Sequence, residues 1–180
     1  MQKLFSRCTC DQRLKIVKEL RFDLSSIALS TQGTHTLQSL VPLISTPEEI
    51  SLIVEHLTPH FVELAPSKNA THFIQKIVAF FPITSTLTFF ELALHNFSSF
   101  ATDKNSICVL KRMMIKIKDS EKDNFHFLPP LKQNLLHFLL TNFDKIIQDA
   151  FGNYVVQFFF EYFGEEYCLS IKNIILDKFR

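Results

Sequence analysis

Charge of one sign, glycine and long apolar runs are all scarce in this sequence of 180 residues. The formal net charge is +1, so the strongly basic balance that by itself favours nucleic acid is absent. Any surface for an anionic partner must therefore come from the local placement of charge. No uncharged apolar stretch reaches the length of about 18 residues that crosses a bilayer. Residues 1–10 also lack the pattern of a signal peptide. We therefore predict a soluble, cytoplasmic protein with no membrane partner.

The motifs of catalysis and metal binding are missing as well. The sequence has only three glycines and neither a phosphate loop nor a nucleophile elbow, so we predict no enzyme, no small-molecule substrate and no cofactor. His56 and His60 are four residues apart, but Pro59 is expected to end their helix, so no metal site is predicted. The thiols include one Cys-x-Cys pair without the further ligands that zinc needs, and they are interpreted as reduced. They are Cys8, Cys10, Cys108 and Cys168.

A repeat organises the chain. Four segments, 33–38, 70–75, 106–111 and 152–157, each consist of a small residue, two variable residues, two residues that are apolar except for Thr36, and a long polar residue. Their last residues are separated by 37, 36 and 46 positions, and the ten extra residues fall at about 118–128. This charged stretch is closed by two prolines and is predicted to be a loop insertion. Because a repeat of this size cannot bury its apolar face alone, neighbouring repeats are expected to stack.

Each repeat is predicted to contain a long helix, a short helix and a third helix that carries the shared segment. In the second repeat, Thr46 and Glu49 form a capping box around Pro47, which opens a long helix. The apolar face of this helix has helical spacing and consists of Ile50, Ile53, Val54 and Leu57. No strand pattern is evident, so we predict one all-α domain over residues 1–180. Its repeats are expected at about 11–44, 47–81, 84–117 and 129–163, with partial repeats at 1–5 and 165–180, the latter with a separate helix at 166–178.

The fourth segment contains Asn153, Tyr154 and Gln157. Asn153 and Gln157 are i, i+4 on a helix and therefore share a face. Each amide offers a donor and an acceptor in one plane, which suits the edge of a nucleobase, and the ring of Tyr154 offers a stacking surface. A solvated helix face would explain this trio if it stood alone. A long polar residue recurs at the same place in each repeat, however, and core packing would not require polarity there.

The run from 149 to 157, Asp-Ala-Phe-Gly-Asn-Tyr-Val-Val-Gln, is very similar to the signature of the Pumilio repeat family. Residues 27–38 resemble the third of the usual eight repeats, and residues 101–110 resemble the fifth. The resemblance covers nearly the whole chain, from the end of the second repeat to the first helix of the seventh, and predicts a fragment or a shortened member. It implies a curved, right-handed α-solenoid of stacked three-helix repeats, whose inner surface binds single-stranded RNA, one base per repeat.

The resemblance also implies which residues form the site. In the last complete repeat, Asn153 and Gln157 would read the edge of uracil while Tyr154 stacks. The other base-edge positions would be Thr34, Gln38, Thr71, Gln75, Ile107 and Lys111. The other stacking positions would be His35, His72 and Cys108. Adenine is the expected base at Thr34 and Gln38.

The segment at 106–111 departs from the family pattern. Ile107 cannot hydrogen-bond to a base, and Lys111 is a donor only. Contact with a phosphate, contact with an acceptor-rich base edge and no contact at all are the alternatives for Lys111. The basic cluster around it is interpreted either as a phosphate-binding surface or as a solvated helix face. It consists of Lys111, Arg112, Lys116 and Lys118.

Two functions are compatible with these residues. The first is sequence-specific binding of single-stranded RNA in mRNA 3′ untranslated regions, for post-transcriptional control of mRNA stability or translation, with regulatory proteins on the convex face. The second is a degenerate helical-repeat scaffold that binds protein, or binds RNA without sequence preference. The weak site at Ile107 and Lys111 and the near-neutral charge favour the second function.

Overall fold

The computed structural model describes residues 5–178, and within that range the regular structure is entirely helical. From Cys10 onward the α-helices come in four groups of three, here called the first to fourth repeats. The first two repeats comprise α1 (Cys10–Leu20), α2 (Leu24–Leu29), α3 (Thr31–Leu40), α4 (Pro47–Leu57), α5 (Phe61–Leu64) and α6 (Thr71–Phe80). The third and fourth comprise α7 (Leu87–His95), α8 (Phe97–Ala101), α9 (Ser106–Asp119), α10 (Leu128–Thr141), α11 (Phe143–Ile147) and α12 (Gly152–Lys178).

The third helix of every repeat carries the shared segment, and we call α3, α6, α9 and α12 the reader helices. They pack side by side, α3 against α6, α6 against α9 and α9 against α12. The first helices form a second layer, in which α1 packs against α4 and α7 packs against α10. Each short second helix contacts the reader helix of its own repeat. The result is an all-α solenoid of stacked repeats, as predicted.

The start of α4 confirms the capping box that the sequence predicts. The Oγ1 of Thr46 accepts from the backbone N–H of Glu49 at 3.3 Å, and Oε2 of Glu49 accepts from the N–H of Thr46 at 3.0 Å. Pro47 occupies the first turn, where its missing N–H costs nothing. The four apolar residues that were expected on one face of α4 are all buried.

Aromatic side chains join the second repeat to the third. The ring of Phe61 on α5 stacks on the ring of Phe89 on α7, with 4.6 Å between their centroids, and lies 5.8 Å from the ring of Phe100 on α8. All three side chains are buried. Because neighbouring repeats supply parts of the same core, the positions of their reader helices relative to one another are fixed.

The glycine that opens the first and the fourth shared segments is explained by the close approach of the short helix. A Cβ added at Gly33 would lie 2.4 Å from the carbonyl oxygen of Ile27, and one at Gly152 would lie 2.5 Å from that of Ile146. Three positions earlier, a side-chain oxygen accepts a backbone N–H at the start of each reader helix. These capping residues are Ser30, Ser67, Asp103 and Asp149.

Two regions differ in detail from the expected elements. In the region predicted as a loop insertion, α9 continues to Asp119, a 3-10 helix covers Glu121–Asp123, and Asn124 has a left-handed backbone with a φ of 53°. Residues 166–178, expected as a separate helix, instead continue α12, because no proline interrupts the stretch. None of the helices in the described range is both long and apolar enough to cross a bilayer.

Candidate nucleic-acid interface

The side-by-side packing of the reader helices places the four shared segments in a row. The residues predicted to stack on bases are exposed in every repeat, with Tyr154 at 52%. They are His35, His72, Cys108 and Tyr154. The row therefore presents flat rings at three positions and a thiol at the position of the third repeat.

The long polar residues of three repeats have the same geometry. The Nε2 of Gln38 donates to Oγ1 of Thr34 at 3.1 Å, and the Nε2 of Gln75 donates to Oγ1 of Thr71 at 3.2 Å. In the fourth repeat, Nε2 of Gln157 donates to Oδ1 of Asn153 at 3.1 Å. Each glutamine amide is thus oriented by the side chain one turn earlier, which leaves its Oε1 available to a base.

The two threonines predicted at base edges are buried, each 3% exposed. The hydroxyl of Thr34 donates to the carbonyl oxygen of Asn69 at 2.8 Å, and that of Thr71 donates to the carbonyl oxygen of Asn105 at 3.1 Å. Each hydroxyl therefore has its hydrogen bonds inside the protein. Its contribution at the row is to orient the glutamine amide, and the glutamine is the group that can meet a base.

The third repeat lacks this arrangement. Ile107 is buried, and the ammonium of Lys111 lies 3.8 Å from the centroid of the Phe158 ring on α12. Cys108 is exposed. This cation–π contact within the protein was not among the alternatives predicted for Lys111. The third position of the row thus offers no oriented amide.

Asparagines that the sequence analysis did not assign to the site link successive repeats. The Nδ2 of Asn69 donates to the carbonyl oxygen of Leu29 at 2.7 Å, and that of Asn105 donates to the carbonyl oxygen of Pro66 at 2.7 Å. Together with the threonine hydroxyls they form what we call the junction ladder, two hydrogen bonds at each of the first two junctions. A signal was available, since each asparagine directly precedes the small residue of its segment. The fourth repeat has the exposed Phe151 at that place.

Cations gather on the central reader helices. Along α3, α6 and α9 the basic residues are Lys76, Lys111, Arg112, Lys116 and Lys118, whereas the sole carboxylate is Asp119 at the last position of α9. The ammonium of Lys76 donates to the carbonyl oxygen of Gln38 at 3.0 Å. That of Lys116 donates to the carbonyl oxygen of Ala79 at 3.2 Å, and burial lowers its pKa. Positive charge is therefore concentrated on these helices, although the net charge of the whole chain is only +1.

The histidines with helical spacing do not form a metal centre. Helix α4 ends at Leu57, and Pro59 lies within the 3-10 helix Thr58–His60. Among residues 5–178 whose side chains are described, no group of three or more His, Cys, Asp or Glu is placed to hold a metal ion.

Stacked three-helix repeats with a row of oriented amides and exposed rings define a helical-repeat protein with an extended polar and aromatic surface. The family model for the Pumilio-family RNA-binding repeat matches residues 1–21, 60–83, 96–124 and 142–176. The chain belongs to the Pumilio family.

Relatives and solved structures agree with this assignment. Pumilio homolog 12 of Arabidopsis thaliana is 30% identical over 89% of this chain and 26% of its own length, and a Pumilio domain-containing protein of Schizosaccharomyces pombe is 28% identical over 99% and 25%. The Puf4 RNA-binding domain bound to the HO endonuclease RNA 3′ UTR recognition sequence is 30% identical and has a TM-score of 0.79, covering 92% of this chain and 48% of that one. The chain thus spans about a quarter of these relatives and half of the solved domain.

Proposed function

We propose that this chain binds single-stranded RNA sequence-specifically. Its targets would lie in mRNA 3′ untranslated regions, and the binding would serve cytoplasmic post-transcriptional control of mRNA stability or translation. The protein would act through regulatory proteins recruited to the convex face, without catalysis of its own. The observation that carries the proposal is the row of glutamine amides, each oriented by the residue one turn earlier and each next to an exposed ring.

The fourth repeat is the most complete reader in this proposal. Asn153 donates its Nδ2 to the carbonyl oxygens of Asp149 and Ala150, at 2.8 and 3.2 Å, and this fixes the Oδ1 that accepts from Gln157. The free Oε1 and the second N–H of Gln157 then match the N3–H donor and a carbonyl acceptor of uracil. In the first and second repeats Gln38 and Gln75 would meet the bases, with adenine proposed for the first. The cations of α6 and α9 other than Lys111 would supply phosphate contacts.

The test is a titration of fluorescent short RNAs that carry uracil or cytosine opposite the fourth repeat, at two salt concentrations. We expect wild-type protein to prefer uracil by about 1–3 kcal/mol and Asn153→Ala with Gln157→Ala to lose that preference. The matched control is Gln133→Ala with Asn134→Ala, which removes two exposed amides from α10 and should leave the preference intact. A double variant in the fourth repeat that still prefers uracil would show that base reading is assigned to the wrong residues.

The second candidate is a scaffold that binds protein, or binds RNA without sequence preference. The observation in its favour is the third repeat, where Ile107 is buried and Lys111 is engaged with Phe158. Equal affinity of the wild-type protein for scrambled RNAs, or no affinity for RNA, would support this candidate over the first.

A further inference from the structure

A cleft of about 320 Å³ lies beside the row and is lined from three successive reader helices. We call it the side cleft. Its walls include Gln38 of α3, then His72, Gln75, Lys76 and Phe80 of α6, and Arg112 of α9. The volume lies within the range of about 300–1,000 Å³ that small-molecule sites occupy in proteins. Gln38, His72 and Gln75 belong to the row, whereas Phe80 and Arg112 extend the surface beyond it.

The chemistry of the side cleft suits a nucleotide. The ring of Phe80 is 57% exposed, so a base can reach it. Arg112 is half-buried and makes no hydrogen bond or ion pair with the part of the chain that the structure describes. Lys76 adds a second cation, and no carboxylate lines the cleft. A flat ring beside two cations matches a base and its phosphate.

The third repeat has no oriented amide with which to read the base of a bound strand. In the row, a base opposite Ile107 and Lys111 meets no oriented amide, because Ile107 is buried and Lys111 lies over Phe158. Nothing in the row therefore holds that base by its edge. Most of the side cleft is lined by α6, and α9 of the third repeat contributes Arg112, the residue after Lys111. The cleft therefore borders the third repeat.

We propose that the nucleotide facing the third repeat places its base in the side cleft, stacked on Phe80, with its phosphate against Arg112. The target RNA would then have two recognised parts, separated by one nucleotide whose base is not selected. A uracil is read by the fourth repeat, the next nucleotide is bound without being read, and two further bases meet Gln75 and Gln38. This inference rests on the proposed RNA-binding function and specifies which position of the RNA is held without base selection.

The test uses five RNAs that differ only at the nucleotide opposite the third repeat, four with the natural bases and one with an abasic site. Wild-type protein should bind the four natural RNAs within about twofold of one another and the abasic RNA about fivefold or more weakly, since stacking a base on an aromatic ring contributes about 1–3 kcal/mol. Phe80→Ala should bind all five RNAs alike. 2-Aminopurine at this position should be quenched in the wild-type complex and regain emission with Phe80→Ala.

One control variant and one further test variant accompany this experiment. Phe22→Ala removes a ring that is 71% exposed and that packs edge-on against His56 of α4, so it should retain the abasic penalty. Arg112→Gln should lower the dependence of log affinity on log salt by about one. Equal binding of abasic and natural RNAs by the wild type, or an abasic penalty that persists in Phe80→Ala, would overturn the proposal that this base binds in the side cleft. Uracil preference at the fourth repeat, measured in the same titrations, reports separately on the proposed function.

Discussion

The first two junctions between repeats are bonded differently from the third. At the first two, a threonine hydroxyl donates to the backbone of the next repeat, and an asparagine amide of that repeat donates back. At the third junction, Ile107 and Phe151 stand at the equivalent places. The contacts there include the Lys111–Phe158 cation–π pair and a 2.8 Å hydrogen bond from Lys145 to Ser98. The repeats with a junction ladder are also those in which a threonine orients a glutamine.

This comparison shows that one side chain can serve the fold and the site together. The hydroxyl of Thr71 donates across the junction and accepts from Gln75 within its own repeat. Where isoleucine replaces threonine, both hydrogen bonds are absent. Orientation of the glutamine amide and bonding across the junction are therefore coupled at this position.

The largest effect is expected at the first junction, where the buried Arg13–Glu49 pair joins α1 to α4 with 2.7 Å between Nε and Oε1. Glu49→Ala leaves Arg13 buried without its partner and should lower the free energy of unfolding by about 3–5 kcal/mol. The matched change near the third junction is Glu121→Ala, which breaks partly exposed pairs with Lys118 and Lys132 and should cost less than about 1 kcal/mol. Urea denaturation measures both, and equal losses would refute the comparison.

The same pair makes stability depend on pH. Burial raises the pKa of Glu49, but hydrogen bonds from Arg13, Thr46 and Ser45 outweigh burial and hold the pKa below its usual value. A lowered pKa in the folded state stabilises the fold above the unfolded value of about 4.3, and this contribution is lost as the pH falls through the folded value. The advantage of wild type over Glu49→Gln should therefore be full at pH 7 and shrink below about pH 4. Urea curves at both pH values test this, and an undiminished advantage at low pH would contradict it.

A smaller effect is expected from Gly152→Ala at the start of the last reader helix. The new Cβ would lie 2.5 Å from the carbonyl oxygen of Ile146, so backbone must shift, at a cost of about 1–3 kcal/mol. The second repeat already has Ala70 at the equivalent place, and Ala70→Gly should cost less than about 1 kcal/mol. Thermal unfolding of both variants checks the difference. If Gly152→Ala did not change thermal stability, the backbone of α11 would be able to move enough to accommodate the new Cβ.

The junction ladder itself is tested by Thr71→Val. This change removes the donor to the Asn105 carbonyl and the acceptor for Gln75, and it should cost about 1–2 kcal/mol. Amide exchange at the start of α9 should become faster. Thr84→Val, at an exposed threonine outside the reader helices, is the control and should leave both measurements unchanged.

The smallest effect is expected from Lys111→Met, which keeps the apolar stem and removes the cation over Phe158. Loss of the cation–π contact should cost about 0.5–1 kcal/mol in the free energy of unfolding. The salt dependence of RNA affinity should stay the same, because the ammonium is engaged within the protein. If the salt dependence falls as it does for Arg112→Gln, Lys111 meets a phosphate instead.

Much of the fold could be predicted from the sequence, because its signals are local. The capping box at Thr46 and Glu49 predicted the start of a long helix. The spacing of the shared segments predicted the reader helices. The burial of Thr34 and Thr71 could not be predicted, since helical spacing defines a face but does not show that the backbone of Asn69 or Asn105 covers it. The contact of Lys111 with Phe158 could not be predicted either, because Phe158 lies 47 positions away on the next reader helix.

Under the proposed RNA-binding function, the junction ladder also bears on the kinetics of association. The first junction lies between the oriented amides of Gln38 and Gln75, so an arriving strand would meet two sites whose spacing is set when the protein folds. The third junction has no ladder, so we expect more of its ordering to occur during association, which would lower the affinity gained there. We therefore expect the strand to leave the fourth repeat first, with a shorter residence time at its uracil than at the two bases held between laddered repeats.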